Sequence, residues 1–243
     1  MFFNPYVLFS IVFMTDVTSI VMVNSQEVDV YSNVLTDTDF YSIIDEEDIY
    51  LMGENVQSRN EKVNVKLYYE CLCPDCRSFD TKQLVPAVQK LANYLDIHPY
   101  PYGNAKTVKK HGKYEFICQH GPEECYGNKL HACAIELLSN MTSAVIFNAC
   151  LMEDKQSGRG STDQAVEICG KSMHLESFIE PIKGCAKGPV GTQLLKHYGD
   201  ESEKVGYQYV PYILINNVVN SGENFMHDVC AAFKHPPEPC KHQ

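Results

Sequence analysis

The chain has 243 residues, 44% of them hydrophobic, and a formal net charge of -11 at pH 7. This acidity argues against a nucleic-acid partner, because binding to a phosphate backbone needs a basic surface. Eleven cysteines favour an oxidising compartment over the cytosol, since disulfides persist there.

The N-terminus is typical of a secretory signal peptide. It has an apolar stretch from Val7 to Met14, and Val23-Asn24-Ser25 suits cleavage near Ser25, although the opening residues lack Lys and Arg. The stretch is too short and interrupted to span a bilayer. We predict a signal peptide over residues 1–25 and no membrane span; an ordinary buried N-terminal segment is the alternative.

Residues 26–62 form an acidic lead-in that includes Asp45-Glu46-Glu47-Asp48. Because few of its apolar residues keep a period, we predict a pro-segment or a disordered segment. Residues 63–243, roughly 180 in number, are enough for one domain with a sizeable core.

A strand and a helix are predicted next. Apolar and polar side chains alternate from Val63 to Tyr69, the period of a β-strand. From about Cys76 to Tyr94 the apolar residues recur with helical spacing. Pro86 is expected to kink this helix because proline cannot continue its backbone hydrogen bonding.

Between strand and helix lies Cys73-Pro74-Asp75-Cys76. A Cys-x-x-Cys pair at a helix start predicts thiol–disulfide exchange. Unpaired N–H groups and the helix dipole stabilise a thiolate there, so Cys73 is the candidate nucleophile and Cys76 the candidate resolving thiol. Asp75 has two opposing effects: its charge favours the helix start but raises the pKa of Cys73.

Two other interpretations of this motif remain open. One is a structural disulfide. The other is a zinc site that also uses His111, Cys118 or His120, but their spacings fit poorly and we expect no metal.

The later elements complete an α/β order. Strands are predicted at about Ile97–Tyr102 and Tyr209–Ile215, then a turn at Asn216-Asn217, a returning strand at Val218-Val219 and a final helix near Glu223–Phe233. Between them, short helices are expected over residues 129–138, 142–151, 161–169, 175–179 and 188–198. This order predicts a thioredoxin-like fold with a large, mostly helical, disulfide-rich insertion over about residues 105–208.

Tyr209-Val210-Pro211-Tyr212 is the second functional signal. In a fold of this kind, a proline at the start of the strand facing the redox helix predicts a cis Val210–Pro211 bond. Such a bond leaves the Val210 backbone free to pair with a substrate chain. A proline that merely opens an edge strand is the alternative.

A long motif resembles a known family. The segment Cys118-Gln119-His120-Gly121, followed after two residues by Glu124-Cys125, then Asn128 and Cys133, is similar to the signature of the gamma-interferon-inducible lysosomal thiol reductases. Tyr68-Tyr69-Glu70, Pro101-Tyr102-Gly103-Asn104-Ala105 and Tyr209-Val210-Pro211 also match, so the resemblance extends from about Val63 to Cys240.

The resemblance implies a glycosylated thioredoxin-like enzyme that reduces protein disulfides in acidic endosomes and lysosomes. Its partners would be disulfide-bonded proteins. Because the chain has no dinucleotide fingerprint or flavin motif, we expect no bound cofactor and a small thiol such as cysteine or glutathione as reductant.

Nine cysteines remain besides Cys73 and Cys76. Eight are candidates for structural disulfides, with Cys118, Cys125 and Cys133 expected to fasten the insertion to the core: Cys118, Cys125, Cys133, Cys150, Cys169, Cys185, Cys230 and Cys240. Their pairing is open. Cys71 departs from the expected family pattern and is predicted to be buried and inert. Gln119, His120, Glu124 and Asn128 are expected to fix the signature loop or border the substrate groove.

Asn140-Met141-Thr142 is an N-glycosylation sequon, which agrees with passage through the secretory pathway to the lysosome, endosome or cell exterior. Two rival functions stay open. One is a disulfide oxidase or isomerase with the same fold, and the other is a secreted binding protein without turnover.

Overall fold

The computed structural model describes residues 61–153 and 160–241. The predicted signal peptide and all but the last two residues of the acidic lead-in lie outside these ranges, so both stay predictions. No helix in the described ranges is long and apolar enough to cross a membrane.

In residues 61–153 and 160–241, six strands form two sheets. The strands are β1 (Val63–Tyr69), β2 (Leu95–Pro101), β3 (Lys106–Lys110), β4 (Lys113–Ile117), β5 (Tyr212–Ile215) and β6 (Val218–Asn220). The main sheet has the order β2-β1-β5-β6, with β1 parallel to β2 and antiparallel to β5. This is the order expected for the predicted thioredoxin-like fold.

The connection from β1 to β2 is helical but not one continuous helix. It consists of α1 (Pro74–Phe79), a π-helical turn (Asp80–Leu84), α2 (Val85–Leu91) and a 3-10 turn (Ala92–Tyr94). Pro86 stands in the first turn of α2, where its missing N–H does least harm. The helical pattern changes from π to α at Val85, just before the proline, and the expected kink stays a prediction.

The described residues contain three buried apolar clusters, and one of them lies on one face of the main sheet. Inward side chains of β1, such as Val65 and Leu67, pack with Leu84 and Val88 of the helical connection and with Phe225 of α8 (Phe225–Ala231). Burying such apolar side chains fixes α1 against the end of β1.

The part of the insertion that the structure describes contains five helices: α3 (Pro122–Leu137), α4 (Met141–Met152), α5 (Asp163–Ser172), α6 (Glu176–Lys187) and α7 (Pro189–Val205). It also contains the β3–β4 hairpin, which the expectation of a mostly helical insertion missed. His111 and Gly112 at its turn both have positive φ, 48° and 79°. A two-residue turn ending in Gly between alternating strands was the signal that could have found it.

The eight candidate cysteines form four disulfides: Cys118–Cys125, Cys133–Cys185, Cys150–Cys169 and Cys230–Cys240. The first three lie wholly within the insertion. The expectation that Cys118, Cys125 and Cys133 fasten the insertion to the core is therefore wrong, because their partners are also in the insertion.

Buried polar contacts join the insertion to the sheet instead. Tyr69 at the end of β1 hydrogen-bonds through its hydroxyl to His131 Nδ1 of α3 at 2.9 Å, and His131 Nε2 bonds to Ser161 Oγ at 2.9 Å. Asn148 of α4 donates to the same Tyr69 hydroxyl at 3.3 Å. Because unpaired buried polar groups are costly, this network specifies how the insertion docks.

Candidate active site

Cys73 occupies the N-terminal cap of α1. Its backbone is extended, with φ -63° and ψ 123°, and Pro74 takes the first helical position. The Cys73 carbonyl accepts the backbone N–H of Arg77 at 3.0 Å. Cys73, Cys76 and Cys71 are free thiols. The sequence alone placed Cys73 and Cys76 at this helix start.

The surroundings of Cys73 favour its thiolate. Hydrogen bonding from the Cys76 thiol is the largest cause and, with the backbone N–H groups of Cys76 and Asp75, lowers the pKa of Cys73 to about 6. Burial and the charge of Asp75 oppose this shift. The hydrogen bonds at the helix start therefore outweigh the charge of Asp75, and the pKa of Cys73 falls.

Cys76 has the opposite character. It is fully buried, and burial, followed by the hydrogen bond to Cys73, raises the pKa of its thiol far above the ordinary value. The site therefore holds one readily ionised thiol, of which 8% is exposed, and one fully buried thiol that stays protonated. Such a difference is the one that the predicted nucleophile and resolving roles require, and those roles stay a prediction.

The Val210–Pro211 bond is cis, as expected, and the segment faces the nucleophile. The Cys73 Sγ lies 3.9 Å from the Val210 carbonyl oxygen. Strand β5 begins only at Tyr212, three residues later than predicted, because Pro211 has no N–H for the sheet. The Val210 backbone therefore lies beside Cys73 and outside the main-sheet strands.

Tyrosine rings extend from this segment over the sheet. Tyr209 is 54% exposed and packs edge-on to Tyr212, with ring centroids 5.6 Å apart. Tyr207 stacks on Tyr212 at 5.7 Å and contacts Tyr68 of β1 at 5.3 Å. Tyr209 is the outermost ring of this row and directly precedes Val210 in the chain.

The signature loop reaches the active site through Glu70, a residue the sequence did not single out chemically. The Glu70 side chain is 1% exposed, and its Oε2 accepts the Asn104 N–H at 2.8 Å. His120 Nδ1 lies 3.4 Å from Glu70 Oε1 and 2.6 Å from Glu124 Oε2. Only the match of Glu70 to the family pattern could have drawn attention to it.

Polar residues of the signature loop fix it by hydrogen bonds, as expected. Glu124 Oε1 accepts the His120 backbone N–H at 3.0 Å, and Gln119 Oε1 accepts from Asn104 Nδ2 at 2.6 Å. Asn128 Oδ1 accepts the Cys71 N–H at 2.9 Å. These contacts connect the loop to the segment that leads into Cys73.

The described residues contain one group whose donor atoms are close enough to share a metal, namely Glu70, His120 and Glu124, within 4.8 Å of one another. His120 Nδ1 already bonds to Glu124, and each carboxylate accepts a backbone N–H through its other oxygen. Three of the four carboxylate oxygens thus have hydrogen-bond partners and Glu70 Oε1 has none, and we describe the group as a hydrogen-bonded cluster. The zinc alternatives that used Cys118 fail, because Cys118 is in a disulfide.

Cys71 lies beneath the site. It is fully buried, its Sγ lies 3.6 Å from the Glu124 carbonyl oxygen, and burial raises the pKa of its thiol. A Cβ on Gly127 of α3 would lie 2.5 Å from this sulfur. The glycine therefore makes the space in which Cys71 packs.

Asn140 caps α4 and is exposed; its side-chain oxygen accepts the Ser143 N–H at 3.1 Å. The carbohydrate-bearing nitrogen of the sequon takes no part in this bond. Glycosylation at Asn140 stays a prediction.

Solved structures resemble this chain in fold. The oxidised form of BdbD from Bacillus subtilis covers 69% of this chain and 82% of its own, with a TM-score of 0.50 and 17% identity. A putative protein disulfide isomerase from Nitrosomonas europaea covers 71% of this chain and 96% of its own, with a TM-score of 0.50 and 10% identity. The predicted thioredoxin-like fold class is confirmed.

Sequence relatives are more specific. The family model for gamma interferon inducible lysosomal thiol reductase matches residues 64–173. A protein of that name from Carassius auratus is 36% identical over 156 residues, which span 63% of this chain and 59% of the relative. A gamma-interferon-inducible lysosomal thiol reductase-like protein from Anopheles gambiae is 31% identical over 196 residues, spanning 74% of this chain and 80% of the relative. The chain belongs to the gamma interferon inducible lysosomal thiol reductase family.

Proposed function

We propose that this protein reduces disulfide bonds of protein substrates by dithiol exchange, at acidic pH and with a small thiol as reductant. The observation that carries the proposal is the contrast between Cys73 and Cys76. One thiol lies at a helix N-terminus with a pKa lowered to about 6, and the other is buried and protonated beside it.

The exchange follows from these two thiols. The Cys73 thiolate attacks one sulfur of the substrate disulfide, forms a mixed disulfide and releases the other sulfur as a thiolate, which takes up a proton. Cys76 then loses its proton and attacks the Cys73 sulfur, releasing the second substrate thiol. The substrate gains two electrons and the enzyme holds a Cys73–Cys76 disulfide.

The reductant restores the starting state. Two molecules of cysteine or glutathione reduce the Cys73–Cys76 disulfide and leave as their own disulfide, so that electrons balance over the cycle. The chain needs no bound cofactor for these steps.

An acidic working pH is supported by the ionisation of Cys73. An ordinary cysteine has a pKa of about 8.5, so each unit by which the pKa falls gives roughly tenfold more thiolate in acid. The lowered pKa of Cys73 keeps a reactive fraction at a pH where most free thiols are inert.

A polypeptide substrate is supported by the segment around Pro211. The Val210 backbone lies beside Cys73 and is available to pair with an extended chain next to its disulfide. We assign Val210 and Pro211 to substrate binding on this basis.

A secretory or lysosomal compartment is supported by the disulfides and the family. Four structural disulfides fit an oxidising secretory route. We propose residence in the endosome or lysosome, or secretion, after removal of a signal peptide over residues 1–25 and with glycosylation at Asn140.

The test is turnover of a disulfide-bonded protein with excess cysteine at pH 4.5 and pH 7, for the processed protein and its Cys73→Ser and Cys76→Ser variants. We expect reduction at pH 4.5 that disappears in Cys73→Ser, and a trapped mixed disulfide in Cys76→Ser. No turnover at either pH by folded wild-type protein would reject the reductase and favour a binding protein. Net disulfide formation in a reduced substrate would instead indicate an oxidase.

A further inference from the structure

Glu70 is a buried carboxylate placed at the active site. It follows β1 and precedes Cys73 by three residues. Its side chain is 1% exposed, and its backbone hydrogen-bonds to Cys76. Glu70 thus lies next to both thiols through the same short segment.

The two carboxylate oxygens of Glu70 have different surroundings. Oε2 accepts the Asn104 N–H at 2.8 Å, whereas Oε1 is buried without a hydrogen-bond partner and faces His120 Nδ1 at 3.4 Å. Gly103 packs against the carboxyl group so closely that a Cβ there would lie 2.2 Å from Oε2. The side chain is therefore fixed in place with one oxygen directed at titratable neighbours.

Charged and titratable groups face Glu70 from each element around it. They are Cys71 and Cys73 on its own segment, His120 and Glu124 from the signature loop and α3, and Tyr207 from the segment after α7. Negative charge on Glu124 or Cys73 disfavours the charged form of Glu70, and His120 favours it. Glu70 and Cys73 thus each disfavour ionisation of the other.

Glu70 and Cys73 also titrate over the same range. Burial is the main cause that raises the pKa of Glu70 to about 7, close to the value of about 6 for Cys73. Groups that interact and titrate together lose their protons over a broadened range.

We propose that Glu70 is a positioning residue for thiol exchange: it takes up a proton in acid and so removes a negative charge that opposes the Cys73 thiolate. This inference rests on the proposed reductase function. Above neutral pH the charged carboxylate resists thiolate formation at Cys73, and in acid the neutral carboxyl does not. The thiolate is thereby favoured where acid makes thiolates scarce.

The experiment measures Cys73 alkylation by iodoacetamide on the reduced, processed protein from pH 4.5 to 8, with peptide mapping to identify the labelled cysteine. Wild type is compared with Glu70→Gln, which has a similar shape but cannot ionise. We expect both rates to coincide near pH 5 and to differ by up to about twofold between pH 6 and 7, the change in ionised fraction that half a pKa unit gives for a thiol titrating near pH 6. Wild type is the slower of the two and gives the broader titration.

Asp75→Asn is the matched control. It also removes one negative charge beside Cys73, but Asp75 is exposed, whereas Glu70 is buried. We expect its curve to shift parallel to wild type, without the change of shape.

A Glu70→Gln curve that superimposes on wild type, or only shifts parallel to it, would overturn the proposal. If Glu70→Gln does not fold, the wild-type curve decides: a titration by a single independent group also overturns it. Alkylation requires no substrate turnover, so this result stands apart from success or failure of the reductase test.

Discussion

Two cysteines of one motif acquire opposite properties from a displacement of one helical turn. Cys73 stands outside the first turn, where N–H groups have no helical partners, and Cys76 lies inside it against the core. Hydrogen bonding lowers the pKa of the first thiol, and burial raises the pKa of the second. The opposite pKa shifts of the two thiols thus follow from their positions at and inside the helix start.

Gly103 offers a test of how tightly Glu70 is held. At φ +64°, Gly103 has a left-handed backbone, and a Cβ would lie 2.2 Å from the Glu70 carboxylate. We expect Gly103→Ala to cost about 1 kcal/mol from the backbone and a further 1–3 kcal/mol from overpacking. Urea unfolding followed by circular dichroism, with disulfides intact, measures the loss.

Gly112 is the control for this substitution, since it has φ +79° with nothing within 4 Å of an added Cβ. Gly112→Ala should show the backbone cost of about 1 kcal/mol alone. Equal losses of unfolding free energy in the two variants would mean that the Glu70 side chain moves aside at no cost and is not fixed by Gly103.

The residues of the exchange reaction could be predicted from sequence, but their supporting residues could not. Cys73 and Cys76 carry a local pattern, and the cis bond at Pro211 follows from the type of fold. Glu70, in contrast, gains its surroundings from Asn104 and His120, which are distant in sequence. Contacts of this kind leave no periodic or local pattern.

At the scale of elements, weak local sequence patterns also explain why the β3–β4 hairpin and the π-helical turn at Asp80–Leu84 were not predicted. Strand β4 alternates between exposed Lys113 and Glu115 and half-buried Tyr114 and Phe116, but both strands are short, and Val108 is the one large apolar residue of β3. A bend at Pro86 was expected, but the π-helical turn before it depends on packing against the core, through the buried side chains of Asp80 and Leu84. Turn chemistry at His111-Gly112 was the clearest local signal for the hairpin.

The segment from Tyr207 to Tyr212 makes an element-level prediction about substrate preference. Tyr209 is the exposed end of the tyrosine row beside Val210. Replacing Tyr209 by Ala should raise KM for a disulfide-bonded polypeptide about five- to tenfold, because one aromatic contact is worth roughly 1 kcal/mol. Reduction of a small disulfide such as cystine should be unchanged, since it does not extend to the ring.

Val218→Ala supplies the comparison, because Val218 is 68% exposed in the neighbouring hairpin and is not part of the row. Initial rates over a range of substrate concentrations separate KM from kcat. Equal losses on the polypeptide and on cystine would contradict a role for Tyr209 in substrate binding.

At the scale of the whole molecule, Cys73 and Cys76 stand at the start of the helix that follows β1, and the insertion brings His120 and Glu124 close to Glu70. The sheet and the insertion meet through polar contacts, including Tyr69 with His131 and the Cys71 N–H with Asn128. Disulfides stiffen the insertion internally, so its loop presents His120 and Glu124 to Glu70 from a fixed frame. The family signature is thus one side of an internal interface.

Buried titratable groups make the free energy of unfolding depend on pH. Burial raises the pKa of Asp80 from 3.8 to about 8, so between these values the native state keeps a proton that the unfolded chain has lost. Stability from Asp80 is therefore present in full below about pH 4 and falls as pH rises, by roughly 1.4 kcal/mol per unit until pH 8. Glu70 acts with the same sign up to about pH 7.

Other groups act with the opposite sign. Burial lowers the pKa of His131 to about 3, and that of Cys73 is lowered to about 6. Each then adds stability as pH rises from its native value to its unfolded value. The net pH dependence of wild type therefore hides the contribution of Asp80, and a matched variant is needed to expose it.

Asp80→Asn keeps the side-chain shape and removes the titration. Relative to wild type, we expect this variant to gain about 3 kcal/mol in the free energy of unfolding between pH 5 and pH 7.5, measured by urea titration at both values. Asp96→Asn is the control, because hydrogen bonding to His98 lowers the pKa of that exposed carboxyl, and it stays ionised over this interval. A free-energy difference between Asp80→Asn and wild type that does not change with pH would show that the buried carboxyl is not protonated in the native state.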